Sequence, residues 1–267
     1  MQAFDFTNRH VFVAGGTSGI NLGIAEAFAE AGAKLAVMSR SQERVDGAVK
    51  RLRSFGGEVL GFAADVRNIE ATAAALKAAH DTCGDIDVLV SGAAGNFPSP
   101  ALGMSANGFK AVVDIDLLGT FNVVRGAHQY FKKPGAVVVN ISAPQSVVPI
   151  AMQAHVCAAK AGVDMLTRVL AIEWGGDGIR INAVIPGPIH GTEGMARLAP
   201  TADAEKAVTR SVPLGRFGTK QDVADLVMFL ASERATYITG AIIPVDGGWS
   251  ANGAGGLGAA LSGLPKT

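Results

Sequence analysis

The chain is 267 residues long, 49% hydrophobic, with 34 glycines against only 11 prolines, a balance that suits one α/β domain with a buried sheet and many tight turns and speaks against disorder. Lys+Arg and Asp+Glu both number 23, so the formal net charge is zero and the basic footprint of a nucleic-acid-binding protein is missing. Cys83 and Cys157 are the only cysteines, too few for a disulfide framework or a cysteine metal cluster, and they fit a reducing compartment.

The N-terminal residues MQAFDFTNRH lack the apolar core of a secretory signal, and no run approaches the roughly 18 apolar residues that span a bilayer. Pro265-Lys266-Thr267 is not a peroxisomal address tripeptide. The expected location is therefore the cytoplasm, with no membrane, nucleic acid or metal among the partners.

Short apolar runs then alternate with helical-period stretches. Residues 10–14, 34–38, 58–62, 86–90, 136–141, 179–185 and 241–245 read as seven strands, most of them continuously apolar as strands covered on both faces must be. Between the first two, Ile20, Ile24, Ala27, Phe28 and Ala31 form one apolar helix face, and Gly32 follows as a stop. Regular strand–helix alternation predicts a parallel, doubly wound sheet with helices on both faces. No internal repeat or linker interrupts residues 1–248. Residues 249–267 are a Gly/Ala-rich tail, expected to pack on a neighbouring subunit or to be mobile.

The first strand runs into Gly15-Gly16-Thr17-Ser18-Gly19-Ile20-Asn21. Glycines there let the backbone turn sharply and approach a pyrophosphate resting on the next helix N-terminus. Asn21 stands where such loops carry their third glycine, and its tolerance of positive φ predicts a local adjustment. The second strand ends at Arg40, where an NAD-preferring site places an acid. A guanidinium there, with Arg44 one turn on, can fork onto a 2′-phosphate, so the expected cofactor is NADPH.

With these features, the pair Asp65-Val66, the segment Ser91-Gly92-Ala93-Ala94-Gly95, Pro186-Gly187-Pro188-Ile189 and the late signatures Arg216-Phe217-Gly218 and Asp246-Gly247-Gly248, residues 8–248 resemble the short-chain dehydrogenases and reductases. The resemblance implies a single-domain Rossmann-type fold with seven parallel strands. It implies that Gly15, Thr17, Ser18, Gly19, Ile20, Arg40, Asp65, Val66, Ala93, Lys160, Pro186, Gly187, Ile189 and Thr192 bind the cofactor. That family normally spaces its catalytic residues as serine, twelve residues, tyrosine, three residues, lysine. Counting back from Lys160, the tyrosine place holds Val156 and the serine place Ala143, and the family's structural asparagine is Asp116. A phenolic proton relay is therefore not expected.

Ala93–Phe97, Val113–Asn122 and Gly187–Gly194 look, more narrowly, like the peroxisomal type of 2,4-dienoyl-CoA reductase, which also lacks the tyrosine and carries the aspartate. The mitochondrial type has a tyrosine fifteen residues before the lysine, where this chain has Gln145. This likeness implies NADPH-dependent reduction of an acyl-CoA diene to a 3-enoyl-CoA, in the β-oxidation of unsaturated fatty acids. Asp116 would polarise a water, and Lys160 would hold the ribose. Arg67, Phe97, Ser105, Asn107 and Arg197 would line the acyl-CoA path, within a region that includes a substrate loop at 190–212. A homotetramer is implied, pairing helices near 106–131 and 152–174 and using Ala111, Val112, Ile115, Leu118, Ala158, Ala161, Leu166 and Leu170. Two other readings stay open: a short-chain oxidoreductase acting on another activated alkene or carbonyl, and a catalytically silent NADP(H)-binding protein.

Overall fold

A computed structural model describes residues 4–252. Seven parallel strands form one sheet in the order β3-β2-β1-β4-β5-β6-β7. They are β1 (His10–Ala14), β2 (Lys34–Ser39), β3 (Val59–Ala63), β4 (Val88–Ser91), β5 (Val137–Ile141), β6 (Arg180–Pro186) and β7 (Ile242–Val245). All seven predicted strands form within two residues of their expected ends. Pro244 is tolerated in β7 because that strand lies at the sheet edge, where a missing donor costs least.

Alternation along the strands sorts side chains to the two faces. Val11 and Val13 of β1 point into one core with Ile24 and Phe28 of α1 (Gly19–Glu30). Phe12 and Ala14 join the opposite core with Leu76 of α3 (Ile69–Cys83) and Val123 of α5 (Gly119–Ala127). The predicted face of α1 is the one buried, with Ile20 and Ala31 packed at its margin, and Gly32 takes φ +83° to end the helix. Helix α2 (Gln42–Arg53) follows β2.

The helical region before β5 is not one regular helix. Helix α4 (Ala106–Val113) passes through a π-helical turn at Asp114–Leu118 before α5 begins. The long α6 (Ala154–Trp174) lies against that turn. The 190–212 region carries α7 (Glu193–Leu198) and α8 (Ala202–Ser211), and α9 (Lys220–Ala231) packs against α1. The start of the predicted tail docks on α8 through Trp249 Nε1, which donates to Ser211 Oγ at 3.0 Å. Residues 253–267 of that tail lie outside the described residues.

Candidate active site

The strand order reverses between β1 and β4, and their carboxyl ends diverge there, the usual place for a ligand in an open parallel sheet. A cleft of about 470 Å³ opens at that point, lined on the β1 side by Gly15 and by Thr17–Asn21. Ser18 caps α1 in extended conformation without a side-chain cap bond, and the first turn holds no acid. By contrast, Ser41, Asn68, Ser105 and Thr219 each cap their own helices. The unmet N–H groups of α1 thus face a cleft suited to a pyrophosphate. Gly15 holds φ +81°, and a Cβ there would press on the backbone of Ala93 across the cleft.

Asn21 corrects the reason given for it. It sits inside α1 without positive φ, and its Nδ2 donates to Gly92 O at 2.7 Å. Its side chain fills the space beside Gly92, where any Cβ would collide with it. The asparagine ties the first helix to the loop after β4.

Arg40 and Arg44 line the far end of the cleft, with Val66 and Ala93. Arg44 reaches across to Glu193 at the start of α7, 3.2 Å away, so one cation spans the mouth. Asp65 and Arg67 stand outside the lining and are committed to each other. Arg67 Nε donates to Asp65 Oδ1 at 3.0 Å and Nη2 to Oδ2 at 2.7 Å. That fork, with the Arg67 backbone N–H, holds the Asp65 carboxyl below the usual carboxylate range. An acyl-CoA phosphate would have to compete for Arg67 with a bidentate carboxylate.

At the inner end, the π turn carries Asp116 into the cleft with a side chain only 1% exposed. Its Oδ1 accepts from Gly95 N at 2.7 Å, and Oδ2 lies 3.4 Å from Lys160 Nζ. Lys160, from α6, also donates to Ile141 O at the end of β5, at 3.0 Å. Two opposite charges are therefore buried together, each further held by a backbone group, which is the arrangement a desolvated ion pair needs. Asp114 faces away and pairs with Lys110. Ala143 and Val156 both line the cleft at the serine and tyrosine places.

The remaining predicted residues divide between the cleft and other places. Pro186 and Thr192 line the cleft, and Thr192 caps α7, accepting from Met195 N. Ile189 is packed into the core instead, and Gly187 is needed because a Cβ would strike Asp246. Ser105 spends its hydroxyl on the Gly108 N–H, and exposed Phe97 stacks edge-on against His155. Asn107 is exposed on α4; the Arg197 side chain lies outside the described residues. Sequence counting passed over Ser142, next to Ala143, and Glu193, which line the cleft as well. A hydroxyl one place from the vacant serine position was the available signal for the first.

Residues 14–250 match the family model described as enoyl-(acyl carrier protein) reductase. The peroxisomal 2,4-dienoyl-CoA reductase [(3E)-enoyl-CoA-producing] of Rattus norvegicus is 46% identical over 89% of this chain and 82% of its own length. Its counterpart in Arabidopsis thaliana is 41% identical over 88% and 82%. Among solved structures, levodione reductase superposes with a TM-score of 0.86 at 32% identity, covering 92% of this chain and 99% of its own. A short chain dehydrogenase from Bacillus anthracis gives 0.82 at 35%, over 91% and 96%. Proteins of this kind work with a nicotinamide cofactor, which the uncapped helix and the glycine-lined approach fit. A match that runs from the cofactor loop past the last strand, with relatives this similar over most of their length, makes the chain an oxidoreductase of the short-chain dehydrogenase/reductase family.

Proposed function

We propose that the protein reduces 2,4-dienoyl-CoA thioesters to 3-enoyl-CoA with NADPH, as a step in the β-oxidation of unsaturated fatty acids. The observation that carries this reading is the buried Asp116–Lys160 pair beside Ala143 and Val156, where a carbonyl reductase would need a hydroxyl and a phenol. Reducing a ketone requires a proton on oxygen as hydride arrives. Reducing a diene conjugated to a thioester spreads charge to the thioester oxygen and finally requires a proton on carbon. The names of the rat and Arabidopsis relatives support that substrate.

A nicotinamide cofactor held by the Gly15–Ile20 approach, Arg40 and Lys160 would supply the hydride for the far end of the diene. Lys160 brings fixed positive charge to the reacting end of the cleft and anchors the ribose. Asp116 keeps that ammonium in place. Each of its oxygens still has a free lone pair after its bond to Gly95 or Lys160. Such a carboxylate can accept an O–H from a water and polarise it toward the substrate carbon. Arg40 and Arg44 provide guanidinium forks for a 2′-phosphate, and a cytoplasmic homotetramer remains part of the proposal.

The experiment is NADPH oxidation with hexadienoyl-CoA beside a ketoacyl-CoA and a buffer blank, with the product's double bond located by NMR. Oxidation by the dienoyl thioester alone is the expected result. Turnover of the ketoacyl-CoA in its place, or of neither thioester, would refute the reading.

A further inference from the structure

The segment from Ser142 to His155 bounds the inner end of the cleft and concentrates unmet hydrogen-bonding capacity. Among the described residues, the Ser142 and Ser146 hydroxyls, Gln145 Oε1 and both ring nitrogens of His155 are buried without a partner. Native proteins satisfy the large majority of such atoms, with water where no protein group is available. His155 is the extreme case. Its side chain is completely buried, and the contact that fixes it is apolar: Phe97 meets it edge-on, ring centres 4.5 Å apart.

His155 follows closely on Gln153, whose Oε1 accepts from Gln145 Nε2 at 2.6 Å. That bond uses the donor end of the Gln145 amide and leaves its oxygen unmet. Gln145 and Ser142 line the cleft, as does Val156, the residue after His155, at the tyrosine place. The imidazole itself is outside the lining.

The orphan atoms select their occupant by chemistry. Gln145 Oε1 can only accept, a hydroxyl can do both, and a neutral imidazole has one donor and one acceptor. A thioester oxygen, which only accepts, would leave Gln145 unmet. Water, which both donates and accepts, can meet the acceptor of Gln145, the hydroxyls and either ring nitrogen alike. We propose that His155, Gln145 and Ser146 hold ordered water beside the Val156 wall, and that His155 is a positioning residue for the proton supply of the site.

This inference rests on the dienoyl-CoA reading. When the water at Asp116 gives a proton to the substrate carbon, it is left as hydroxide. The held water returns a proton to that hydroxide and is itself reprotonated from solvent, so one solvent proton is consumed per hydride. An imidazole that accepts on one nitrogen and donates from the other keeps such a chain aligned.

The test uses His155→Phe, which keeps an aromatic ring, though a larger one, beside Phe97 while removing both nitrogens, and His155→Gln, which restores a donor and an acceptor. His155→Phe should melt cooperatively and bind NADPH like the wild type. Its kcat on hexadienoyl-CoA should fall about tenfold to a hundredfold, less than for a group touching the substrate, with KM little changed. The solvent deuterium isotope effect should rise, and His155→Gln should recover part of the rate. Wild-type kcat and isotope effect in His155→Phe would overturn the proposal. If that variant does not fold, Gln145→Leu decides by the same readouts. A high-resolution crystal structure of the wild type gives a readout independent of activity: water bonded to His155 and Gln145 supports the site, and its absence sinks it. Failure of the wild type to reduce any dienoyl-CoA would remove the functional reading while leaving that crystallographic answer intact.

Discussion

Asp116 has two duties that a substitution can separate. Its Oδ1 orders the loop after β4 through the Gly95 N–H, and its charge balances Lys160. Asp116→Asn keeps one acceptor and the shape, so folding and NADPH binding should survive while turnover drops by about 10²–10⁴-fold. Single-turnover NADPH oxidation measures this, and a near wild-type rate would reduce Asp116 to a structural substitute for asparagine. Asp116→Ala should also destabilise by about 3–5 kcal/mol in urea unfolding, because it strands a buried ammonium. The cofactor claim rests on Arg40. Arg40→Ala should cost about 1.5–3 kcal/mol of the preference for NADPH over NADH, the scale of a hydrogen bond to a charged group. Equal affinities of the wild type for both cofactors, by fluorescence titration, would contradict it.

Helix ends and helix defects set the next scale. The π turn at Asp114–Leu118 inserts an extra residue into the helix, and such turns often mark functional positions. Here it accompanies the burial of Asp116 while Asp114 stays on the surface side with Lys110. At α9, Thr219 and Asp222 form a capping box, and Arg216 forks onto the same carboxylate. Arg216, then the Thr219 backbone N–H, hold the Asp222 carboxyl far below its ordinary range. A depressed folded-state pKa means its stabilisation is present above the unfolded value of about 4 and fades as pH falls below it. Asp222→Asn should therefore lose stability at neutral pH, by about 1 kcal/mol or less given solvent screening, and converge with the wild type in acid. Urea unfolding across that range checks it; a constant difference down to low pH would be the wrong outcome.

Across the whole molecule, the two helical stretches named for assembly do carry exposed apolar side chains, but not all the expected ones. Val112 and Leu170 are buried within the protomer's own packing. Leu118, Phe121, Met165, Val169 and Ile172 are left exposed on α5, α6 and the π turn, with Ile172 at 83%. Exposed apolar side chains grouped in this way are where the proposed subunit contact would fall. Ile172→Glu should shift the expected tetramer toward smaller species in light scattering at micromolar concentration, while a wild-type monomer would remove the assembly from the proposal.

Strand positions, the apolar face of α1 and the glycine approach to the cleft were legible before any coordinates, because hydrophobic period and backbone steric limits act over a few neighbouring residues. The same holds for the substitutions at Ala143 and Val156, which needed only counting from Lys160. Folding alone settled which charges meet. Asp65 and Arg67 look like two separate ligand contacts along the chain but close on each other, and Asn21 works through its amide because the loop after β4 brings Gly92 beside it. Asp116 finds Lys160 only because a π turn, the end of β5 and the second turn of α6 converge at the cleft. Electrostatics and hydrogen bonding depend on distance in space, and distance in space is fixed by packing that no local pattern encodes.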